Sequence, residues 1–169
     1  GAMLVVLGMA CKELDKIFNE FQEDSDAWVA IITGSGERAF SAGNDLKYQA
    51  EGGKMESVSS GFAGLTSRYD LNKPIIAAVN GVAMGGGFEI ALACDLIIAS
   101  DNATFALPEP KVGLAALAGG MHRLPRQIGM KRAMGMMLTG RTVKAEEGKD
   151  LGFVNEVVSQ NELLNRAEE

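Results

Sequence analysis

The sequence is poor in the residues that disulfides, metal sites and nucleic-acid surfaces require. Its 169 residues include two cysteines, one histidine and four prolines, and 22 acidic side chains outnumber 16 basic ones. The net charge of −6 argues against a nucleic-acid partner, because phosphate binding needs clustered basic residues. No apolar run approaches the ~18 residues of a membrane-spanning helix, so we expect no membrane partner either.

The few cysteine and histidine residues exclude further kinds of chemistry. Cys11 and Cys94 fall at apolar positions of predicted helices, so we expect free, buried thiols in a reducing compartment. No set of residues has the spacing of a metal site, and we expect no metal. His122 has no accompanying G-x-S-x-G segment, which favours a surface or helix-start histidine. Without a signal-peptide pattern, these features favour the cytoplasm, or a mitochondrion or peroxisome in a eukaryote.

Hydrophobic residues and glycine are abundant, and their order along the chain predicts an α/β fold. Hydrophobic residues make up 47 % of the chain, and 21 of its residues are glycine. Apolar strands flank a short helix between Pro74 and Ser100, which indicates a parallel βαβ unit. We find no linker and no repeat, so residues 1–169 are predicted to form a single domain.

The other predicted elements follow from the period of the apolar residues. Strands are predicted at Leu4–Leu7, Trp28–Thr33 (buried), Pro74–Val79, Leu96–Ser100, Ala103–Glu109 and Phe153–Val158. Helices are predicted at Met9–Glu23, Gly86–Cys94, 119–128, 130–138, 145–150 and from about Gln160. Gly34–Lys47 is predicted to be a glycine-rich loop, Gln49–Ser60 a mobile surface segment, and the methionines of Met130–Met137 core or subunit packing.

Two glycine patterns match nucleotide-binding motifs only in part. Gly34–Ala39 spells G-x-G-x-x-A after a strand, but loop residues follow where a dinucleotide-binding fold would begin a helix. Gly81–Gly87 has the glycine spacing of a phosphate loop without the Lys-Ser/Thr pair that follows it. We therefore expect the protein to bind neither a dinucleotide nor a nucleoside triphosphate.

The stretch VAMGGGFEIAL, Val82–Leu92, combines three glycines with one acid at the start of a predicted buried helix. Consecutive glycines let a ligand approach the backbone, and the N–H groups of a first helical turn favour an oxyanion such as a thioester enolate. Glu89 lies one turn into this helix, and a second acid, Glu109, stands between two prolines. Two carboxylates beside an oxyanion site can hold a water and move its protons. On the residues alone, a helix-capping Glu89 and a turn-forming Glu109 remain equally open interpretations.

Longer segments resemble the crotonase (enoyl-CoA hydratase/isomerase) superfamily. The resemblance lies in AFSAGNDL (Ala39–Leu46), KPIIAAVNGVAMGGGFEIALACDLIIAS (Lys73–Ser100), FALPEPKVGL (Phe105–Leu114) and LTGRTVKAEEGKDLGFVNEVV (Leu138–Val158). Within the superfamily the sequence is most similar to the enoyl-CoA hydratase and carnitinyl-CoA dehydratase branch. The resemblance implies a spiral of repeated ββα units, the ClpP/crotonase fold, here without the C-terminal helices that the family usually carries.

The resemblance also implies a role for individual residues. The backbone N–H groups of Asn44 and Gly86 would form the oxyanion hole, and Glu89 and Glu109 would be the catalytic acids. The expected activity is reversible syn addition of water to a 2,3-enoyl-CoA, with a carbon–oxygen lyase as the enzyme class. No separate cofactor is implied, since coenzyme A is part of the substrate, and the expected assembly is a homotrimer or a dimer of trimers. The residues implied in contact with coenzyme A are Ala42, Asn44, Asp45, Leu46, Lys47, Gly85 and Gly86.

Some positions depart from the family pattern. Ala116 and Leu117 stand where the hydratases have a Pro-Gly or Pro-Asp pair, which makes the acyl-side wall more apolar. The first strand joins the first helix almost directly, without the loop that helps the family bind coenzyme A. Carnitinyl-CoA dehydration, double-bond isomerisation and a non-catalytic fragment of the fold therefore remain alternatives to enoyl-CoA hydration.

Overall fold

The computed structural model describes residues 5–6, 8–53 and 58–169. The strands are β1 (Val5–Val6), β2 (Ala30–Thr33), β3 (Ala39–Ser41), β4 (Gly43–Asn44), β5 (Ile75–Val79), β6 (Val82–Met84), β7 (Leu96–Ser100), β8 (Thr104–Ala106), β9 (Val143–Lys144) and β10 (Glu156–Val158). The helices are α1 (Gly8–Glu23), α2 (Leu46–Ala50), α3 (Gly86–Ala93), α4 (Gly120–Ile128), α5 (Met130–Thr139), α6 (Ala145–Leu151) and α7 (Leu163–Glu168). Short 3₁₀ turns span Phe62–Gly64, Glu109–Val112 and Gln160–Glu162.

Three pairs of strands each place one strand in each of two sheets. One sheet has the order β10-β7-β5-β2 with all its strands parallel, and it takes the first strand of each of the pairs β2/β3, β5/β6 and β7/β8. The second strand of each pair lies in a sheet of order β3-β6-β8-β9, in which β9 is antiparallel to β8. β1 pairs with β4. This repeated path is the spiral α/β fold that the sequence predicts.

The core forms where the apolar runs are continuous. β5 and β7 are rich in branched apolar residues, which favour a sheet covered on both faces, and each is flanked by strands on both sides. Residues 87–92 of α3 are all buried, so this helix has no solvent face. Phe88 of α3 packs against Phe105 and Phe153 with ring centroids 5.0–5.2 Å away. The start of α3 is therefore held at a fixed place beside both sheets.

Asn80 joins the ends of β2 and β5. Its side-chain oxygen accepts a hydrogen bond from the N–H of Gly34 at 3.0 Å. Its side-chain nitrogen donates to the carbonyl oxygens of Gly34, Gly36 and Ala39. The buried Asn80 side chain thus fixes the path of the chain from β2 into β3 and so toward the site.

The prediction that Trp28–Thr33 is a buried strand is wrong in length and in burial. β2 begins at Ala30, and Trp28 is 77 % exposed. β2 lies at the edge of its sheet and pairs only with β5 in the described part of the chain. Alternate residues of β2 therefore face outward, and Ile31 is among the exposed ones.

The prediction of one loop over Gly34–Lys47 is also wrong, because β3, β4 and the start of α2 lie within it. These strands have two or three residues each and form by pairing with β6 and β1, which are distant in sequence or also short. β6 itself, Val82–Met84, is absent from the predicted elements. Such strands depend on their partners, so the local pattern does not identify them.

Two further predictions need correction at their boundaries, and a third lies partly outside the described residues. The predicted strand Ala103–Glu109 ends at Ala106, and Glu109 begins a 3₁₀ turn. Within Gln49–Ser60, residues 49–50 belong to α2, Ser60 is buried, and 54–57 lie outside the described residues. Leu4 and Leu7 of the first predicted strand also lie outside them.

The cysteine and methionine predictions have separate outcomes. Cys11 and Cys94 are buried and free, as predicted. Among the predicted methionines, Met136 is fully buried while Met130 and Met134 are exposed, so core packing accounts for only part of that run. His122 lies exposed in α4, as predicted. Across the described ranges, no helix is both long and apolar enough to cross a bilayer.

Candidate active site

The first turn of α3 presents backbone N–H groups at a sharp change of chain direction. β6 ends at Met84, and Gly85 has φ 56° and ψ −126°, a conformation that favours glycine. The N–H of Gly85 donates to the carbonyl of Ala106 at 2.9 Å, and the N–H of Glu89 donates to the carbonyl of Gly85 at 3.0 Å. This bond from Glu89 is the first of the helical ladder of α3. The N–H of Gly86, three residues earlier, therefore has no acceptor within the helix.

Close backbone packing brings β4 against this first turn. Gly43 has φ 81°, and a Cβ added to it would lie 2.7 Å from the nitrogen of Gly86. A Cβ on Gly87 would lie 2.0 Å from the carbonyl oxygen of Ser41 in β3. These positions accept no side chain, so the backbone of Gly43 in β4 lies directly beside that of Gly86. The two N–H groups named from the resemblance therefore belong to touching segments.

Glu89 is a buried carboxyl held by the start of another helix. It is 3 % exposed, and its Oε1 accepts a hydrogen bond from the N–H of Gly120, the first residue of α4, at 2.8 Å. Burial raises the pKa of Glu89 to about 7, and the charge of Glu109 adds to that rise. The Gly120 and Ala118 N–H groups and the charge of Arg123 act in the opposite direction.

Glu109 begins a 3₁₀ turn next to the start of α3. A Cβ on Gly85 would lie 3.1 Å from Glu109 Oε1, so this carboxyl borders the first turn of α3. Its Oε2 is buried and has no hydrogen-bond partner within the described structure. Burial raises the pKa of Glu109 above its ordinary value. A buried carboxyl oxygen without a partner is costly unless a ligand or water completes it.

A cavity of about 430 Å³ joins these groups. It is lined by Ala42, Asn44, Leu46, Phe62, Gly85, Gly86, Glu89, Pro108, Glu109, Lys111, Val112, Leu114, Ala115, Leu117 and Ala118. Apart from the two glutamates, Asn44 and Lys111, the lining residues are apolar. The cavity thus combines an apolar wall with two acids and the first turn of α3, which is typical of a small-molecule site.

Most of the residues predicted for the site lie in this cavity, and two do not. Ala42, Asn44, Leu46, Gly85, Gly86, Glu89 and Glu109 all line it. Asp45 instead accepts a hydrogen bond from the N–H of Tyr48 at 2.9 Å, which places it at the start of α2. Lys47 is exposed on α2 and is not among the lining residues.

Sequence reasoning missed Phe62 and Lys111. The ring of Phe62 lies against Gly86, because a Cβ there would be 2.6 Å from the ring carbon Cε1. Its position depends on the turn Phe62–Gly64, in which Ala63 has a left-handed φ of 54°. No local pattern predicts that turn. Lys111 follows Glu109 by two residues, and that spacing is the signal that could have identified it.

The acids do not form a metal site. In the parts of the chain that the structure describes, no three His, Cys, Asp or Glu residues are grouped so that they could hold a metal ion. Glu89 and Glu109 are the two titratable acids of the cavity, and an acid pair next to backbone N–H donors suits proton transfer to a substrate that carries an oxyanion.

Comparison with known proteins finds consistent relatives. A family model described as enoyl-CoA hydratase/isomerase matches residues 8–169. The carnitinyl-CoA dehydratase of Proteus mirabilis is 50 % identical over 159 residues, which are 93 % of this chain and 61 % of that protein. The carnitinyl-CoA dehydratase of Escherichia coli K12 is 51 % identical with the same coverage. The chain thus spans about three fifths of the length of these relatives.

Solved structures give the same result for the fold. A carnitinyl-CoA dehydratase from Mycobacterium avium superimposes with a TM-score of 0.92 at 40 % identity, covering 97 % of this chain and 65 % of that one. An enoyl-CoA hydratase from Mycobacterium tuberculosis has a TM-score of 0.90 at 40 % identity, covering 97 % and 64 %. The similarity extends over 97 % of this chain in both comparisons.

Proposed function

Because the chain belongs to the enoyl-CoA hydratase/isomerase family, we propose that it is the catalytic core of an enoyl-CoA hydratase. The reaction is the reversible syn addition of water to a 2,3-enoyl-CoA thioester. The observation that carries this proposal is that Glu89 and Glu109 line one cavity with the first turn of α3. An acid pair beside a donor of this kind is what hydration of a conjugated thioester requires.

The residues divide the chemistry as follows. The thioester oxygen accepts hydrogen bonds from the N–H groups of Asn44 and Gly86, and each such donor is worth roughly 3 kcal/mol in known oxyanion holes. A water held by Glu89 and Glu109 bonds through its oxygen to C3 while Glu89 takes its proton. The C2=C3 electron pair moves into the C1–C2 bond and the carbonyl π pair moves onto the thioester oxygen, which gives an enolate. Glu109 then donates its proton to C2, which regenerates the thioester. The proton that Glu89 took from the water passes to Glu109, and this transfer restores the starting state of the pair.

This sequence requires one protonated and one ionised glutamate. Burial raises the pKa of both carboxyls, and their mutual repulsion opposes a doubly charged pair. The pair therefore keeps one proton at a higher pH than two solvated glutamates would. Activity is expected to fall below the pH at which both acids are protonated and above the pH at which both are ionised.

A second candidate is dehydration of carnitinyl-CoA, since relatives with about 50 % identity carry that name. That substrate carries a fixed positive charge at its acyl end. The wall beyond Glu109 consists of Val112, Leu114 and Leu117, and Lys111 is the basic residue that lines the cavity. An apolar wall with a lysine favours an uncharged acyl group, so we place simple enoyl thioesters first.

We further propose that the protein acts in the cytoplasm as a homotrimer or dimer of trimers, without a separate cofactor.

Steady-state kinetics on crotonyl-CoA test the proposal, with crotonobetainyl-CoA as the competing substrate. Glu89→Gln and Glu109→Gln are each expected to lower kcat at least ~100-fold, the loss typical of an acid–base residue. Glu13→Gln, an exposed acid of α1, is the matched control and should keep full activity. The mechanism is refuted if both site variants retain the activity of the unmodified protein. A folded chain that turns over only crotonobetainyl-CoA would replace the first candidate by the second.

A further inference from the structure

The wall of the cavity that faces Gly86 is a short turn with an unusual backbone. Gly61, Ala63 and Gly64 all have positive φ, and alanine is strained in this region. The Phe62 N–H donates to the Thr66 hydroxyl at 2.9 Å. The ring of Phe62 is thereby directed onto Gly86. Such strain persists only where the surroundings fix the turn.

One side chain ties this turn to α4. The Nη1 of Arg123 donates to the carbonyl oxygen of Thr66 at 2.9 Å. The guanidinium passes next to Gly119, where a Cβ would lie 2.2 Å from Nη1, so the absence of a side chain there leaves its path open. Arg123 stands one turn after Gly120, whose N–H holds Glu89. α4 thus binds Glu89 through the N–H of Gly120 and binds the Phe62 turn through the side chain of Arg123.

We propose that Arg123 is a positioning residue with two effects. It holds the ring of Phe62 over Gly86, and it favours the ionised form of Glu89. This role extends the proposed function to a residue that touches no reacting atom. Loss of the guanidinium would free the Thr66 carbonyl and let the Phe62 turn shift. It would also remove a positive charge from the first turn of α4, whose Gly120 N–H binds the buried Glu89 carboxyl.

The charges that act on Glu89 come from two elements. Glu109 lies in the 3₁₀ turn before α4 and disfavours ionisation of Glu89, while Arg123 of α4 favours it. The N–H groups of Gly120 and Ala118 also favour the ionised form. Arg123 is the cation in this balance, so its removal raises the pKa of Glu89 further.

Titration of the ¹³C-labelled Glu89 carboxyl by NMR tests the electrostatic half without any turnover. Arg123→Met should raise the midpoint by at least ~0.3 pH unit, and Arg123→Lys, which keeps the charge, should return it toward the original value. Arg126→Met, an exposed arginine of the same helix, is the control and should leave it unchanged. An unchanged midpoint in a folded Arg123→Met variant would overturn the proposal.

The amide resonance of Gly86 tests the positioning half, because the ring current of Phe62 acts on it. Arg123→Met should move this resonance, Thr66→Val should move it in the same way by removing the Phe62 acceptor, and the double variant should add little. Fully additive changes would overturn the coupling through Thr66. If the protein hydrates no enoyl-CoA but both NMR results appear, the proposed function fails and the role of Arg123 stands. If the protein is fully active but neither NMR change appears, the proposed function stands and the role of Arg123 fails.

Discussion

Glu89 brings an ionisable group into the core, and the cost of its charge depends on pH. Burial raises its folded-state pKa from 4.5 to about 7, so the folded protein binds this proton more tightly than the unfolded chain does. The stabilisation that this bound proton gives the folded state is fully present below the unfolded-state pKa. It is lost as the pH rises through the folded-state pKa. Burial of the Glu89 carboxyl therefore lowers stability near neutral pH.

The variant Glu89→Gln should expose this cost. Glutamine keeps an oxygen that can accept the Gly120 hydrogen bond, but it carries no charge at any pH. We expect the free energy of unfolding of Glu89→Gln, relative to the unmodified protein, to increase by about 3 kcal/mol between pH 4.5 and pH 8. Urea unfolding at several pH values measures the difference. A difference that is flat across this range would mean that the Glu89 carboxyl is not perturbed by burial.

At the scale of the elements, the proposed oxyanion hole depends on the contact between β4 and α3. Gly43 touches the backbone of Gly86, and no side chain fits between them. Two N–H groups can converge on one thioester oxygen only if their segments approach this closely. The glycines of this region thus serve packing between elements before they serve a ligand.

A pair of glycine substitutions separates this contact from simple backbone strain. Gly43→Ala should lower kcat roughly 100-fold, because the added Cβ forces β4 away from α3 and disrupts the donor pair. Gly36→Ala has nearly the same positive φ, 76° against 81°, but nothing lies within 4 Å of its added Cβ. Both variants should lose about 1 kcal/mol or more of stability, yet only the first should lose activity. Equal kcat values in the two folded variants would contradict the assignment of β4.

The elements also explain which parts of the structure the sequence predicts. α1, β5, α3 and β7 carry apolar patterns long enough to be recognised locally, and the structure confirms their places. β3, β4 and β6 escaped because two or three residues carry no period and the pairing partner decides. Residue types that the proposed chemistry needs singled out the acids and glycines of the site, and the family resemblance then implied their roles. Phe62 and Arg123 were not singled out, since an apolar wall and a backbone hydrogen bond leave no such signature.

At the scale of the whole molecule, the structure contains the complete acid pair and both segments of the proposed oxyanion hole. The chain spans 61 % of the length of its carnitinyl-CoA dehydratase relatives. The cavity rim carries exposed apolar side chains, among them Leu114 and Leu117. Binding of an acyl thioester would cover part of this rim. The central claim is therefore that these residues suffice for water addition at C2 and C3.

The most direct test is the product that the purified chain forms from crotonyl-CoA in deuterated water. Our account predicts 3-hydroxybutyryl-CoA with one deuterium at C2, placed syn to the new hydroxyl group and identified by NMR coupling constants. Glu89→Gln and Glu109→Gln should form at least ~100-fold less of it in the same time. A folded chain that forms no hydrated product, or one that adds water with anti geometry, would contradict the account.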